Sequence, residues 1–339
     1  MKNSIVDKAI ELLAIPSPTG FTKEVSKLVF ANLQKMGYEP KMTNKSSVVV
    51  CLGGQGDPIL VTAHVDTLGA MVFGVKPNGR LKMTALGGLS PNNVETETCI
   101  VHTRTGKTFD GTIQMENASG HVNKSLAEAQ RTFDSLEVVL DEKTSSKAET
   151  TDLGIETGDF ICVNPRTIFT STGFLKSRFL DDKLCAAILL EYAKELKETG
   201  TTPNRKVYLH FTVYEETGHG ACASVPSDVN EILSLDMGCV GDGLACTEHE
   251  VSICVKDSRG PYDYDMTTKL IEIAKENSIS YAADVYPFYG SDADAALGAG
   301  WDLRHALIGP GVYASHGYER SHIDGINATY ELMKKYLKS

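Results

Sequence analysis

The stretch Val207-Tyr208-Leu209-His210-Phe211-Thr212-Val213-Tyr214-Glu215-Glu216-Thr217-Gly218-His219-Gly220 sets the frame for the rest of the chain. Its first half is strongly apolar and reads as a buried strand. It then places two carboxylates side by side before a glycine-rich turn. Neighbouring side chains on a strand point to opposite faces. One Glu can therefore face a cation while the other faces another part of the same cleft. An isolated Glu-Glu is usually a solvated loop pair. At the end of a buried strand, two adjacent acids are costly unless metal or proton chemistry compensates them.

The flanking segments supply partners. Upstream, an Ala/Leu-rich helix over residues 184–196 ends at Gly200 and is preceded by Asp181-Asp182-Lys183. A helix N-terminus favours a carboxylate. If one Asp caps, the other is free to point at a metal. Downstream, an apolar strand over residues 232–235 runs into Asp236-Met237-Gly238. Helix and strand alternate here, which predicts an α/β sheet whose ligands gather at strand C-terminal ends.

The N-terminal third contributes a histidine. Residues 4–14 read as a helix, with Ser4 and Asp7 as a capping box and Pro16 as its stop. A second helix runs from Thr22 to Gly37. Residues 47–52 and 58–63 read as two strands joined by the Gly53-Gly54-Gln55-Gly56 turn. The second delivers His64-Val65-Asp66. The spacing of two puts both polar side chains on one face. Asp66 is placed to fix the tautomer of His64, as a metal-bound imidazole usually requires.

Between about residues 71 and 167 the texture changes to short alternating pieces such as Met71-Val72-Phe73-Gly74-Val75, separated by Gly, Asn and charged turns. This predicts a small β-rich domain (71–167) inserted into a discontinuous first domain (1–70 and 168–339), with residues 124–147 charged and partly helical. Beyond it, residues 262–277 read as a helix. Gly290-Ser291-Asp292-Ala293-Asp294 reads as a substrate-side loop entering another helix, and residues 323–337 as the closing helix. His316 and His322 bracket Gly317-Tyr318-Glu319-Arg320-Ser321 just before it.

Composition narrows the function classes. With 339 residues, two domains are expected. A net charge of −11 argues against nucleic acid or an anionic membrane as the main partner. No apolar run approaches the roughly 20 residues of a membrane span, and the N-terminus does not resemble a signal peptide. The 8 cysteines are scattered, and several, such as Cys51, Cys185 and Cys254, lie in apolar runs. They predict buried thiols of a reducing cytoplasm rather than a cysteine zinc site.

Collected, His64, Asp181, Glu215, Glu216, Asp236 and His316 can supply a bridging carboxylate, terminal ligands and a spare base for two divalent cations. Carboxylates mixed with imidazole suit zinc, cobalt or manganese better than copper. Their order and context resemble the TET-type, glutamyl-aminopeptidase-like dinuclear metallopeptidases, metallopeptidase family 42. The segments that carry the resemblance are Ser17-Pro18-Thr19-Gly20, Ala63-His64-Val65-Asp66-Thr67-Leu68-Gly69-Ala70-Met71-Val72, Leu180-Asp181-Asp182-Lys183, Glu215-Glu216-Thr217-Gly218 and Gly290-Ser291-Asp292-Ala293. They span nearly the whole chain.

The resemblance implies a zinc-peptidase-like mixed α/β sheet flanked by helices, with an inserted PDZ-like oligomerisation domain. It implies two divalent metal ions per subunit, with zinc preferred over cobalt or manganese. His64 and Asp236 would bind one ion, Asp181 would bridge, and Glu216 and His316 would complete the second. Glu215 would be the general base and Asp66 the residue that orients His64. Ser291, Asp292 and His219 would line the substrate pocket. The expected activity is removal of N-terminal residues from peptides through a metal-bridged water, in a cytoplasmic homo-oligomer of up to twelve copies. The sequence departs from the family pattern at Lys183, where Arg is common, and at His219. It also offers His322 as an alternative to His316. A dinuclear amidase or dipeptidase acting on acylated amino acids would use the same ligands. A non-catalytic metal-binding scaffold would have no use for the base.

Overall fold

The structure, a computed structural model, describes residues 3–338. Two compact units emerge. One comprises the chain up to Thr67 and from Arg166 onward, and the other spans Leu68–Pro165.

The larger unit is built on a mixed sheet. Its path runs Lys41–Met42, Val48–Gly53, Arg205–Thr212, Gly56–His64, Glu231–Leu235, Arg304–Tyr313, Glu319–His322, Phe174–Ser177, Ile168–Phe169. The four strands from Arg205–Thr212 to Arg304–Tyr313 run parallel to one another. Successive residues Leu60 and Val61, Ile232 and Leu233, and Leu307 and Ile308 are all 0% exposed. Consecutive residues face opposite sides, so both faces of these strands are covered. This explains their unbroken apolar runs. Helices Ser4–Leu13, Leu180–Thr199 and Ile323–Tyr336 are among those that pack on the sheet or on each other.

The turn Gly53-Gly54-Gln55-Gly56 does not make a hairpin. The Arg205–Thr212 strand lies between the two it connects, antiparallel to Val48–Gly53 and parallel to Gly56–His64. Gly54 has φ +91°, and a Cβ there would lie 1.7 Å from the Arg205 carbonyl oxygen. Only glycine lets the turn pass so close to the strand that inserts beside it.

Other local expectations shift slightly. The first helix is capped by Asn3, whose side chain accepts from the N–H groups of Ile5 and Val6. Ser4 is already helical, so the cap falls one residue earlier than the Ser4–Asp7 pattern suggests. Cys51 is exposed rather than buried, because it sits on the outward-facing side of the alternating Val48–Gly53 strand.

The smaller unit is a closed barrel of strands in the order Gly69–Val75, Leu81–Leu86, Leu136–Leu140, Thr108–Met115, Thr98–His102, Phe160–Val163. Pairing of Ala70 with Ile161 closes the ring, which removes exposed sheet edges. Val72, Leu81, Met83, Val101, Ile113, Val138 and Ile161 are buried in it. The region expected to be partly helical (124–147) is instead turns followed by a strand, and helix begins only at Lys147–Asp152.

Candidate metal centre

His64 is the last residue of the Gly56–His64 strand and only 2% exposed. Its Nδ1 lies 2.9 Å from the backbone oxygen of Asp66 and 3.7 Å from the Asp66 carboxylate. The close partner from Asp66 is thus its backbone carbonyl rather than its carboxylate. An Nδ1–H bond to that carbonyl directs the Nε2 lone pair inward. The Asp66 carboxylate has other duties. It accepts from Thr19 Oγ1 at 2.7 Å and from the Glu215 N–H at 3.1 Å.

Nε2 of His64 lies 3.1 Å from Asp181 Oδ1 and 3.6 Å from Glu215 Oε2. Asp181 Oδ2 lies 3.5 Å from Nε2 of His316. One carboxylate thus spans two imidazoles. Asp181 and Asp182 have non-helical φ/ψ at the start of the Leu180–Thr199 segment. They do not cap an ordinary helix as the sequence suggests. Asp182 turns back to accept from the His64 N–H at 3.2 Å. Lys183, also buried, donates to the carbonyl of Ile15 at 2.6 Å.

Glu215 and Glu216 leave the Arg205–Thr212 strand in a short 3₁₀ turn, Glu215–Thr217. Glu216 Oε2 lies 3.7 Å from His316 Nε2. Asp236, next after the Glu231–Leu235 strand, accepts from the Met237 N–H at 2.6 Å. Donor atoms of His64, Glu215 and Asp236 fall within 4.8 Å of one another, as do those of His64, Asp181 and Glu216. The six residues singled out in the sequence therefore converge.

Of the two terminal histidines, His316 is the one that reaches the cluster. His322 caps the last helix through Asp324 N–H and places Nε2 2.9 Å from the Thr172 carbonyl oxygen. A residue overlooked in the sequence supports the choice. Glu319, 2% exposed, accepts from the His316 N–H at 3.0 Å and from the Asp181 N–H at 3.1 Å. Its position three residues after His316 was the available signal.

The electrostatics are those of a cation site. Burial and then the Asp181 charge push Asp236 up to about 8 and Glu216 well above its ordinary range. Burial also raises Glu215, against the pull of His64. Burial opposes charge on His64, but Asp181, Glu215 and Asp236 outweigh it and hold the imidazole well above 6.5. The bond to Asp181 lifts His316 to about 10. Asp181 itself is held below the usual range, because its two imidazole partners outweigh its burial. Too many carboxylates converge here for two imidazoles to balance. Two donors sharing a tetrahedral cation at about 2.0–2.1 Å lie about 3.3–3.4 Å apart. The separations of 3.1–3.7 Å bracket that value. The donor set fits divalent cations.

The centre opens into a cavity of about 1250 Å³. Its walls include His219, Arg259, Phe288, Tyr289, Ser291 and Leu297. Asp292 does not line it. Asp292 is 3% exposed and accepts from Thr212 Oγ1 at 2.6 Å and the Ala221 N–H at 2.8 Å. It braces the wall from behind.

Comparison with known proteins identifies the family. Residues 46–332 match the model of the family described as M42 glutamyl aminopeptidase. A Bacillus subtilis protein provisionally named aminopeptidase YhfE is 41% identical over 97% of this chain and 96% of its own. The Pyrococcus horikoshii TET1 peptidase, described as assembling into a tetrahedron or a large octahedral shell, superposes with a TM-score of 0.86. It is 22% identical, with 99% of each chain covered. An aminopeptidase of the archaeon Desulfurococcus kamchatkensis gives 0.86 at 20% identity, covering 98% of this chain and 94% of its own. The chain belongs to the M42 glutamyl aminopeptidase family and is a peptide-bond hydrolase of the aminopeptidase class.

Proposed function

We propose that this aminopeptidase works with two divalent cations per subunit, zinc first among them, with cobalt or manganese as alternatives. His64 and Asp236 hold one, Glu216 and His316 the other, and Asp181 spans both. The observation that carries the reading is the placement of one carboxylate, Asp181, between two imidazoles at 3.1 and 3.5 Å. Cations bound there would polarise the scissile carbonyl and acidify water.

The chain's own residues supply the rest. Glu215 is the general base. Its carboxylate takes the proton of the attacking water and passes it to the leaving amine nitrogen. Burial raises its proton affinity, the direction a group that accepts and then releases a proton requires. Asp66 holds Glu215 through the Glu215 N–H and fixes His64 through its own backbone carbonyl. The N-terminal residue of a peptide enters the cavity past His219 and Ser291.

The barrel is the PDZ-like assembly module of this reading, and the protein forms homo-oligomers, with a dodecamer as the expected form. No helix among the described residues is long and apolar enough to cross a membrane, and no disulfide joins the cysteines. The free thiols fit the cytoplasmic location of this reading, where cysteines stay reduced.

Anomalous scattering from crystals soaked in zinc or cobalt tests the assignment. Two peaks at the His64–His316 centre, ligated by the five named residues, are expected. One peak there, or none, at saturating metal overturns it.

A further inference from the structure

Away from the catalytic centre, three potential metal ligands meet at the start of the last helix. They are His249, His322 and Asp324, whose donor atoms lie within 4.8 Å of one another. Asp324 Oδ2 lies 3.2 Å from His322 Nδ1 and 3.5 Å from His249 Nδ1. The separation expected for two donors on one tetrahedral cation, about 3.3–3.4 Å, falls between these values.

The surroundings hold the group in place. His322 Nε2 faces the Thr172 carbonyl at 2.9 Å. That bond fixes the tautomer and leaves the Nδ1 lone pair toward Asp324, the arrangement carried by most metal-bound imidazoles. Nδ1 accepts a long bond, 3.2 Å, from the Asp324 N–H. A coordinate bond would replace it. The His249 and His322 rings sit 4.4 Å apart between centroids, and the edge of Phe174 packs against both, at 5.8 and 4.7 Å.

The loop that presents His249 is itself held against the helix. A Cβ on Gly325 would lie 2.5 Å from the Glu248 carbonyl oxygen and 2.9 Å from that of Glu250. Glu248 also pairs with Arg320 at 2.9 Å. The two histidines are thus brought together from segments about seventy residues apart, on backbones in direct contact.

We infer that His249, His322 and Asp324 form a separate surface site for a divalent transition-metal ion, zinc by its donor set. Two imidazoles and one carboxylate leave the fourth tetrahedral position to water. The ion's effect is structural. It pins the loop before the Val251–Lys256 strand to the junction between the Glu319–His322 strand and the Ile323–Tyr336 helix. That strand also carries Glu319, which braces His316 and Asp181.

The test compares full-length wild type, His249→Ala and His322→Asn, each stripped with chelator and reloaded with zinc by equilibrium dialysis. Asn retains helix-capping ability, so the second variant guards against simple unfolding of the helix start. Expected are an anomalous peak among the three side chains in wild type and none in His249→Ala. Both variants should hold one zinc fewer per chain than wild type, and peptide turnover of His249→Ala at equal free zinc should be unchanged. The inference is overturned if wild type and His249→Ala bind equal amounts of zinc, or if no peak appears among the three residues while peaks fill the His64–His316 centre. Failure of the dinuclear reading would look different. Peaks would be missing from the His64–His316 centre, while the one-ion difference between wild type and His249→Ala would persist.

Discussion

The Glu319 carboxylate accepts from the backbone N–H of Asp181 at 3.1 Å, and its other oxygen accepts from the N–H of His316 at 3.0 Å. One buried side chain thus sets the mutual position of Asp181 and His316, the proposed bridging carboxylate and terminal imidazole, without itself being a proposed ligand. Residues in this role typically alter metal affinity by about 10–100-fold when lost. Glu319→Ala should weaken metal retention by that factor, measured by competition with a chelating dye. Excess zinc should restore much of the activity. Unaltered retention would show that Glu319 is only a structural acid.

Glu215→Gln should bind the same complement of metal and lose about 10²–10⁴-fold in kcat. The amide preserves shape but accepts no proton. Paired metal analysis and steady-state kinetics check both halves. Near-normal turnover would remove Glu215 from the role of base.

Gly220→Ala addresses the same carboxylate from behind. A Cβ at Gly220 would lie 1.9 Å from Asp292 Oδ1 and 3.2 Å from Glu215 Cβ. Asp292 must then leave Thr212 or Ala221, and Glu215 must shift. A displacement of about 1 Å in a catalytic group costs on the order of 10²-fold. The expected phenotype is a folded protein with reduced kcat, compared with wild type by circular dichroism and kinetics.

His210 predicts an acid limit on stability. It is 0% exposed in the central sheet, neither ring nitrogen has a partner, and burial lowers its pKa to about 3. The unfolded chain takes up this proton near 6.5 and the folded chain only near 3. Between these values the unfolded state binds more protons, so stability falls as pH decreases below 6.5. At pH 5 the loss is about 2 kcal/mol. Replacing His210 by Leu should flatten that part of the profile in urea titrations at pH 5 and 7. An equal slope in both proteins would refute the assignment.

Much of the centre was legible because its residues sit where apolar strands stop. His64 closes one strand, Asp236 follows another, and Glu215-Glu216 follow a third. Strand ends are marked locally by composition, so the ligands stand out. Pairing is not local. Nothing in residues 47–63 reveals that Arg205–Thr212 enters between their two strands. The same limit concealed Glu319, whose role depends on backbone N–H groups from two distant segments. It also concealed the position of Asp292 behind the wall, since a loop acid reads alike whether it faces the cavity or the core. His322 competed with His316 in sequence because it stands at the start of the last helix only six residues on, and only the fold directs it to the Thr172 carbonyl.

The parallel register of Phe211 with Ala63 and Thr212 with His64 has a consequence for engineering. The proposed first ligand, His64, ends its strand beside Thr212, and the proposed base sits in the Glu215–Thr217 turn that follows Thr212, held there through Asp66. The cavity walls near Arg259, Phe288 and Leu297 come from loops and a short helix. On the proposed reading, reaction geometry and selectivity belong to different parts of the chain. A library randomised at those three wall positions should retrain which N-terminal residue is accepted while the bond-breaking apparatus stays intact.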